Sequence, residues 1–256
     1  FSGLDGNASS NMFDSLTADP LRMASWHAVF MGITIFIVSR GVNKGIERAA
    51  KIMIPSLFIL LVIMVGYALV AADFRAGFNF LFNFDLSKVT GEVVLMAMGQ
   101  AFFSLAISVG VMMTYGAYLS KDVSIGDSVC IIAFADTLVA ILAGLAIFPI
   151  VFAAGLEPGE GPGLIFVTMP VAFGQMPAGA FFGALFFILL CFAAITTGIG
   201  MLEPAVSFLE EKQGLKRPAI TIILGAVCWA VGLASVFSFN IWQDFRPAGF
   251  IEKFSD

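Results

Sequence analysis

The sequence predicts an all-α, polytopic membrane protein, and three observations carry that prediction. Hydrophobic residues fill 59% of the 256 positions and charged residues only 12%, about half the charge a water-soluble domain uses to cover its surface. Mean hydropathy is +0.98, with the apolar residues gathered into runs longer than the core helices of globular domains. The strict alternation of a membrane-barrel strand is absent from those runs. Lipid is therefore the solvent for most of the chain.

Six candidate spans follow in order. The first, at about 24–39, is short and would cross with tilt or local thinning of the bilayer. Those at about 52–72, 93–119, 128–156, 181–209 and 218–239 are of full spanning length. All belong to a single transmembrane unit over 1–256. Between the fourth and fifth spans, EPGEGPGLIFVTMPVAFGQMPAG (about 157–180) is too apolar for a water-exposed linker and too broken by Gly and Pro to span. It reads either as an extracellular lid or as an interfacial helix packed on the bundle. With no initiator Met and no signal peptide at FSGLDGNASS, and with IEKFSD directly after a loop, both ends read as cuts through a longer protein.

Loop charges give the orientation. Arg40, Lys44, Arg48, Lys51, Lys121, Lys212, Lys216 and Arg217 fall in one set of loops. Arg22, Arg75, Lys88, Arg246 and Lys253 fall in the alternate set, among many acids. The positive-inside rule makes the first set cytoplasmic. The net charge of −5 sits in short loops, and no basic tract suited to nucleic acid is present. Cys130, Cys191 and Cys228 lie in apolar runs and are odd in number, which argues against disulfides or a zinc site. No cluster of His, Cys or paired carboxylates suggests an enzyme.

Polar residues inside the spans are the candidates for chemistry. The third span contains Ser104-Leu-Ala-Ile-Ser108-Val-Gly110, which fits a continuous helix packed through small residues or a helix unwound around a cavity. In the fifth, Ala193, Thr196, Thr197, Gly200 and Met201 share one helix face, either a packing seam or an oxygen-rich cation site. Asp136, deep in the fourth span, is costly there without a cation, donor or proton; an ion pathway or a structural hydrogen bond would justify it. Glu203 suits a structural or gate network near the cytoplasmic end, within reach of a snorkelling Lys or Arg. His27 sits at the outer edge of the first span. Gly45-x9-Pro55 marks a second-span helix that either opens at its inner end or kinks.

Four stretches resemble one family. GQAFFSLAISVGVMMTYGAYLSKD is similar to the sixth helix of the neurotransmitter:sodium symporters, and GVNKGIERAAKIMIPSLFILLVIMV to their fifth. GPGLIFVTMPVAFGQMPAG is similar to their fourth extracellular loop, and FAAITTGIGMLEPAVSFLEE to their eighth helix. The resemblance runs over nearly the whole chain, from the end of the second extracellular loop to the entrance of the tenth helix. It implies part of the leucine-transporter-type inverted-repeat fold, with the sixth helix broken and the first and third outside this chain. The piece alone is not expected to transport.

By position, the resemblance implies that Phe103 closes over the substrate and that Ser104 serves both the substrate region and the first sodium site. Ala106, Val109, Thr197 and Met201 would line the side-chain pocket. Val109 replaces the larger aromatic of leucine-transporting members and opens room. Asp136 falls where many members carry a sodium-binding Asn, and would supply a fixed negative charge in place of chloride. Ala193, Thr196 and Thr197 match half of a second sodium site. The expected function is sodium-coupled symport of an apolar or aromatic amino acid in the cytoplasmic (inner) membrane. A proton-driven or exchanging transporter of the same fold, or an amino-acid sensor that does not pump, is the rival.

Overall fold

The structure, a computed structural model, describes residues 6–83, 85–107, 110–158 and 161–242. A short helix, α1 (Gly6–Thr17), leads into α2 (Pro20–Ser39). Asp19 sets the start of α2: its carboxylate accepts from the N–H groups of Leu21 and Arg22, both at 3.1 Å. Pro20 takes the first helical position, where an N–H would be orphaned anyway. This Asp-Pro pair begins the helix earlier than its hydropathy alone suggests. Its 20 residues give about 30 Å, the thickness of a bilayer core.

Gly41, at φ +86°, reverses the chain into a π turn, Val42–Ile46, which continues as α3 (Glu47–Ala71). The Ile46 N–H donates to Gly41 O at 3.1 Å. Gly45 is buried beneath the last turn of α2, where a Cβ would lie 2.1 Å from Ile37 O, so only glycine fits. The Gly45–Pro55 spacing thus begins at a backbone irregularity, with Pro55 inside α3. Hydropathy gives no sign of α4 (Phe74–Phe82), capped by Asp73 and packed on α7.

After a 3-10 turn (Leu86–Lys88) come α5 (Gly91–Ser104), started by Thr90, and α6 (Val111–Ala117). Next is α7 (Ile125–Ala153), started by Ser124. The 157–180 region holds a single helical turn, α8 (Gly161–Gly163), a second π turn (Leu164–Thr168) and α9 (Met169–Gln175). Met169, Val171, Ala172 and Phe173 are buried, so this apolar loop is core. The helix α10 (Gly179–Gln213) ends at Gly214, φ +63°, and α11 (Arg217–Ser238) follows.

Among the described residues, five helices are long and apolar enough to cross a membrane: α2, the π turn with α3, α7, α10 and α11. The sixth expected span, 93–119, is divided between α5 and α6, neither of which reaches that length alone.

Two cores hold the bundle. One joins Leu61 and Met64 of α3, Ile150 of α7, Met169 and Phe173 of α9, and Phe186 of α10. Tyr67 locks it by donating to Pro177 O at 2.8 Å and stacking on Phe182. The other, at the basic-loop end, joins Val38, Ile46, Ile199, Val206 and Ile220. The long α10 contributes to both. α2 packs closely on α11 because Gly225 receives Ile35 and Gly232 receives the ring of His27. His27 therefore sits in a helix seam beside Trp229, their ring centroids 6.5 Å apart.

Candidate functional site

The third candidate span is interrupted at its polar centre. α5 stops in a Schellman-type closure: Leu105 N–H donates to Ala101 O, Ala106 N–H to Phe103 O and Ile107 N–H to Phe102 O, at 3.0–3.2 Å. Ala106 takes the left-handed position, φ +49°, where glycine is usual and a Cβ costs about 1–2 kcal/mol. α6 resumes after Gly110, φ +75°. The negative end of the α5 dipole lies at this gap, a favourable place for a cation.

Asp136 faces the break. Ser104 Oγ donates to Asp136 Oδ1 at 2.6 Å, the length of a charge-assisted hydrogen bond. α5 is exposed along its length, and this bond ties its last residue to the middle of α7. Thirty-two residues separate the pair in sequence, so each is visible there as a polar oddity, but not their contact.

On α10, the carbonyl of Ala193 accepts from the hydroxyls of both Thr196 and Thr197, at 2.9 Å each. Three oxygens are gathered on one helix turn. Thr196 also borders a cavity of about 260 Å³, lined by Ile46, Ala50, Ile54 and Tyr115, which leads toward the first turns of α3. Among the described residues no group of three or more His, Cys, Asp or Glu converges as a metal cluster. The oxygens lie in two separate places, Ser104 with Asp136 and Ala193 with Thr196 and Thr197, and hydroxyl, carbonyl and carboxylate oxygens are donors that hard cations take.

The substrate-side candidates are less gathered. Phe103 is 78% exposed and Met201 55%; Ser104 and Thr197 are also exposed, and Ala106 is half-buried in the break. Met201 borders a different cavity, against Met31, Thr34 and Leu224. Val109 lies outside the described residues.

A polar network closes the basic-loop end. Glu203, fully buried, pairs with Arg217 Nη2 and accepts from the Tyr118 hydroxyl at 2.8 Å. Arg217 also donates to Glu210 at 2.9 Å and to Val38 O at 3.1 Å, while Ser207 Oγ lies 2.9 Å from the Tyr118 oxygen. One guanidinium thereby joins α2, α10 and α11, and Tyr118 brings in the end of α6. Sequence reasoning asks only for some cation near Glu203; Tyr118 and Ser207 carry no such signal. Arg217 is legible in retrospect as the residue opening the next helix.

Known proteins are similar to this chain in sequence and fold. The model of the sodium:neurotransmitter symporter family matches residues 16–242. The chain is 37% identical over 97% of its length to a sodium-dependent transporter of Bacillus subtilis, YhdH, and 34% identical over 88% to one of Haemophilus influenzae. It is 26% identical over 80% to the sodium- and chloride-dependent taurine transporter of the dog. The crystal structure of MhsT in complex with L-phenylalanine superposes with a TM-score of 0.84 at 38% identity over 95% of this chain. The chain spans about half the length of these bacterial relatives, 55% of YhdH and of MhsT and 50% of the Haemophilus protein. A helix broken opposite a membrane carboxylate, within a fold shared at this identity, has one reading: the chain belongs to the sodium:neurotransmitter symporter family.

Proposed function

We propose that the protein carrying this chain is a sodium-coupled symporter of an apolar or aromatic amino acid in the cytoplasmic membrane. The observation that carries the reading is the Ser104–Asp136 hydrogen bond at the helix break. It gathers a hydroxyl, a carboxylate and a helix C-terminus, all of which favour a cation. A membrane carboxylate kept in such surroundings is best explained by an ion it serves. Ser104 and Asp136 form part of a first sodium site, and Ala193, Thr196 and Thr197 part of a second. Asp136 supplies fixed negative charge beside the ion, so transport needs no chloride.

Phe103, Ser104, Ala106, Val109, Thr197 and Met201 contribute to the amino-acid site. The apolar or aromatic class rests on the phenylalanine complex of MhsT and on the resemblance, in which valine stands at 109 where leucine-transporting members carry a larger aromatic. Coupling follows from sharing: Ser104 and Thr197 each serve an ion and the substrate, so filling one site completes the other. The 157–180 region acts as the extracellular lid over this site.

The test is uptake of labelled amino acids by the full-length protein in proteoliposomes with an inward sodium gradient, an inward proton gradient or none. Accumulation with sodium alone is expected. Accumulation driven by protons alone refutes sodium coupling, and saturable binding without accumulation identifies a sensor.

A further inference from the structure

The turn between α2 and α3 carries a basic cleft that the transport reading does not use. Arg40, Asn43, Lys44 and Arg48 line a cleft of about 590 Å³. Among the described residues, none of its three cations has a carboxylate within salt-bridge distance. The nearby Glu47 is instead paired with Lys51 at 2.6 Å. The Arg40 guanidinium lies 4.0 Å from the centre of the Phe36 ring, which holds it by its face and leaves its N–H edge free. Lys44 projects from the π turn and Arg48 from the first turn of α3, one turn apart on the same face.

Position identifies the anion. The cleft lies where two membrane-length helices, α2 and α3, end together at the basic side, the depth of lipid headgroups. Below it, Ile33 and Phe36 of α2 and Ile52 of α3 are exposed; Phe36 touches Arg40 and Ile52 lies one turn beyond Arg48, so apolar side chains flank the cations. A soluble phosphate has no use for such a wall, whereas a lipid needs both. Basic pockets between helices on the cytoplasmic side are suited to anionic headgroups. We propose that this cleft binds the phosphate of an anionic glycerophospholipid whose acyl chains lie along α2 and α3. Occupancy braces the π turn at the start of α3, and the site is independent of which solute is carried.

The experiment uses full-length protein titrated with dioleoyl-phosphatidylglycerol or dioleoyl-phosphatidylcholine, with bound lipid counted by native mass spectrometry. Each cation near a headgroup is worth about fivefold in affinity, so R40Q/K44Q/R48Q should weaken phosphatidylglycerol binding about a hundredfold. The charge-conserving R40K/K44R/R48K should retain binding, as should K51Q, because Lys51 is already neutralised by Glu47. Equal retention of the two lipids by the wild type, or undiminished phosphatidylglycerol binding by the neutral variant, overturns the proposal. Loss of binding in the charge-conserving variant overturns it too, since charge would then not be the cause. Displacement of the lipid by inorganic phosphate at equal concentration would identify a soluble-phosphate site instead.

Discussion

Breaking the Glu203–Arg217 pair should destabilise the protein far more than removing it whole. Glu203 has no exposed surface, and its carboxylate meets only Arg217 and Tyr118 among the described residues. Arg217 is 12% exposed and keeps Glu210 and Val38 O when Glu203 is neutralised. Removing one partner of a buried pair costs about 3–5 kcal/mol. Glu203→Met belongs at the lower end, because the guanidinium retains two acceptors. Arg217→Met belongs at the upper end, because it strands a buried carboxylate beside a single phenol. The double variant, with both charges gone and the volume refilled, should lie within about 1–2 kcal/mol of wild type. The cycle therefore predicts a coupling of about 6 kcal/mol, the sum of the two single costs less that of the double. Full-length protein in detergent, unfolded by denaturant and followed by tryptophan fluorescence, measures all four corners. Single variants within about 0.5 kcal/mol of wild type, or a double variant equal to the sum of the singles, would refute the network.

Other consequences are read on the same protein. Ala106→Gly should stabilise by about 1 kcal/mol in the same unfolding assay, because it removes a Cβ from a left-handed position. Gly77→Ala should destabilise by about 1–3 kcal/mol, because the new methyl meets the rigid ring of Pro149 at 2.5 Å. Thr197→Ala, by deleting a hydroxyl from the α10 oxygen cluster, should raise the sodium concentration for half-maximal uptake about tenfold, and Thr197→Ser should restore it.

Much of the fold was legible because lipid imposes length and hydropathy on each span, and α3, α7, α10 and α11 are visible as apolar runs. The exceptions have local causes. The early start of α2 was signalled by Asp19-Pro20, a capping pair that hydropathy averages away. α4 is too short and too mixed to register as a span, and its Asp73 cap and its packing beneath Pro149 define it. The break after Ser104 was undecidable from composition, since Ser and Gly serve helix packing as well as unwinding. The residue that turns the chain is also an alanine, where a glycine would have been a signal. At the site, Asp136 and Glu203 stood out as charges in apolar surroundings. Ser104 was visible as well, and the resemblance put it in the same sodium site as Asp136, but their direct contact was not; Tyr118 gave no signal, because it reaches Glu203 only through the tertiary arrangement of α6 and α10.

Sodium dependence of uptake without chloride, in wild type and Asp136→Asn, tests the central claim most directly. A carboxylate one hydrogen bond from an ion ligand, about 4 Å from the ion, interacts with it by about 4 kcal/mol at an effective dielectric of 20. Less the desolvation recovered when the charge is removed, about 1–3 kcal/mol remains, or about 5–150-fold in sodium affinity. The account predicts wild-type uptake unchanged when gluconate replaces chloride, and an Asp136→Asn variant needing that much more sodium. Chloride-stimulated uptake by the wild type, or an Asn variant fully active at the same sodium concentration without chloride, would contradict it.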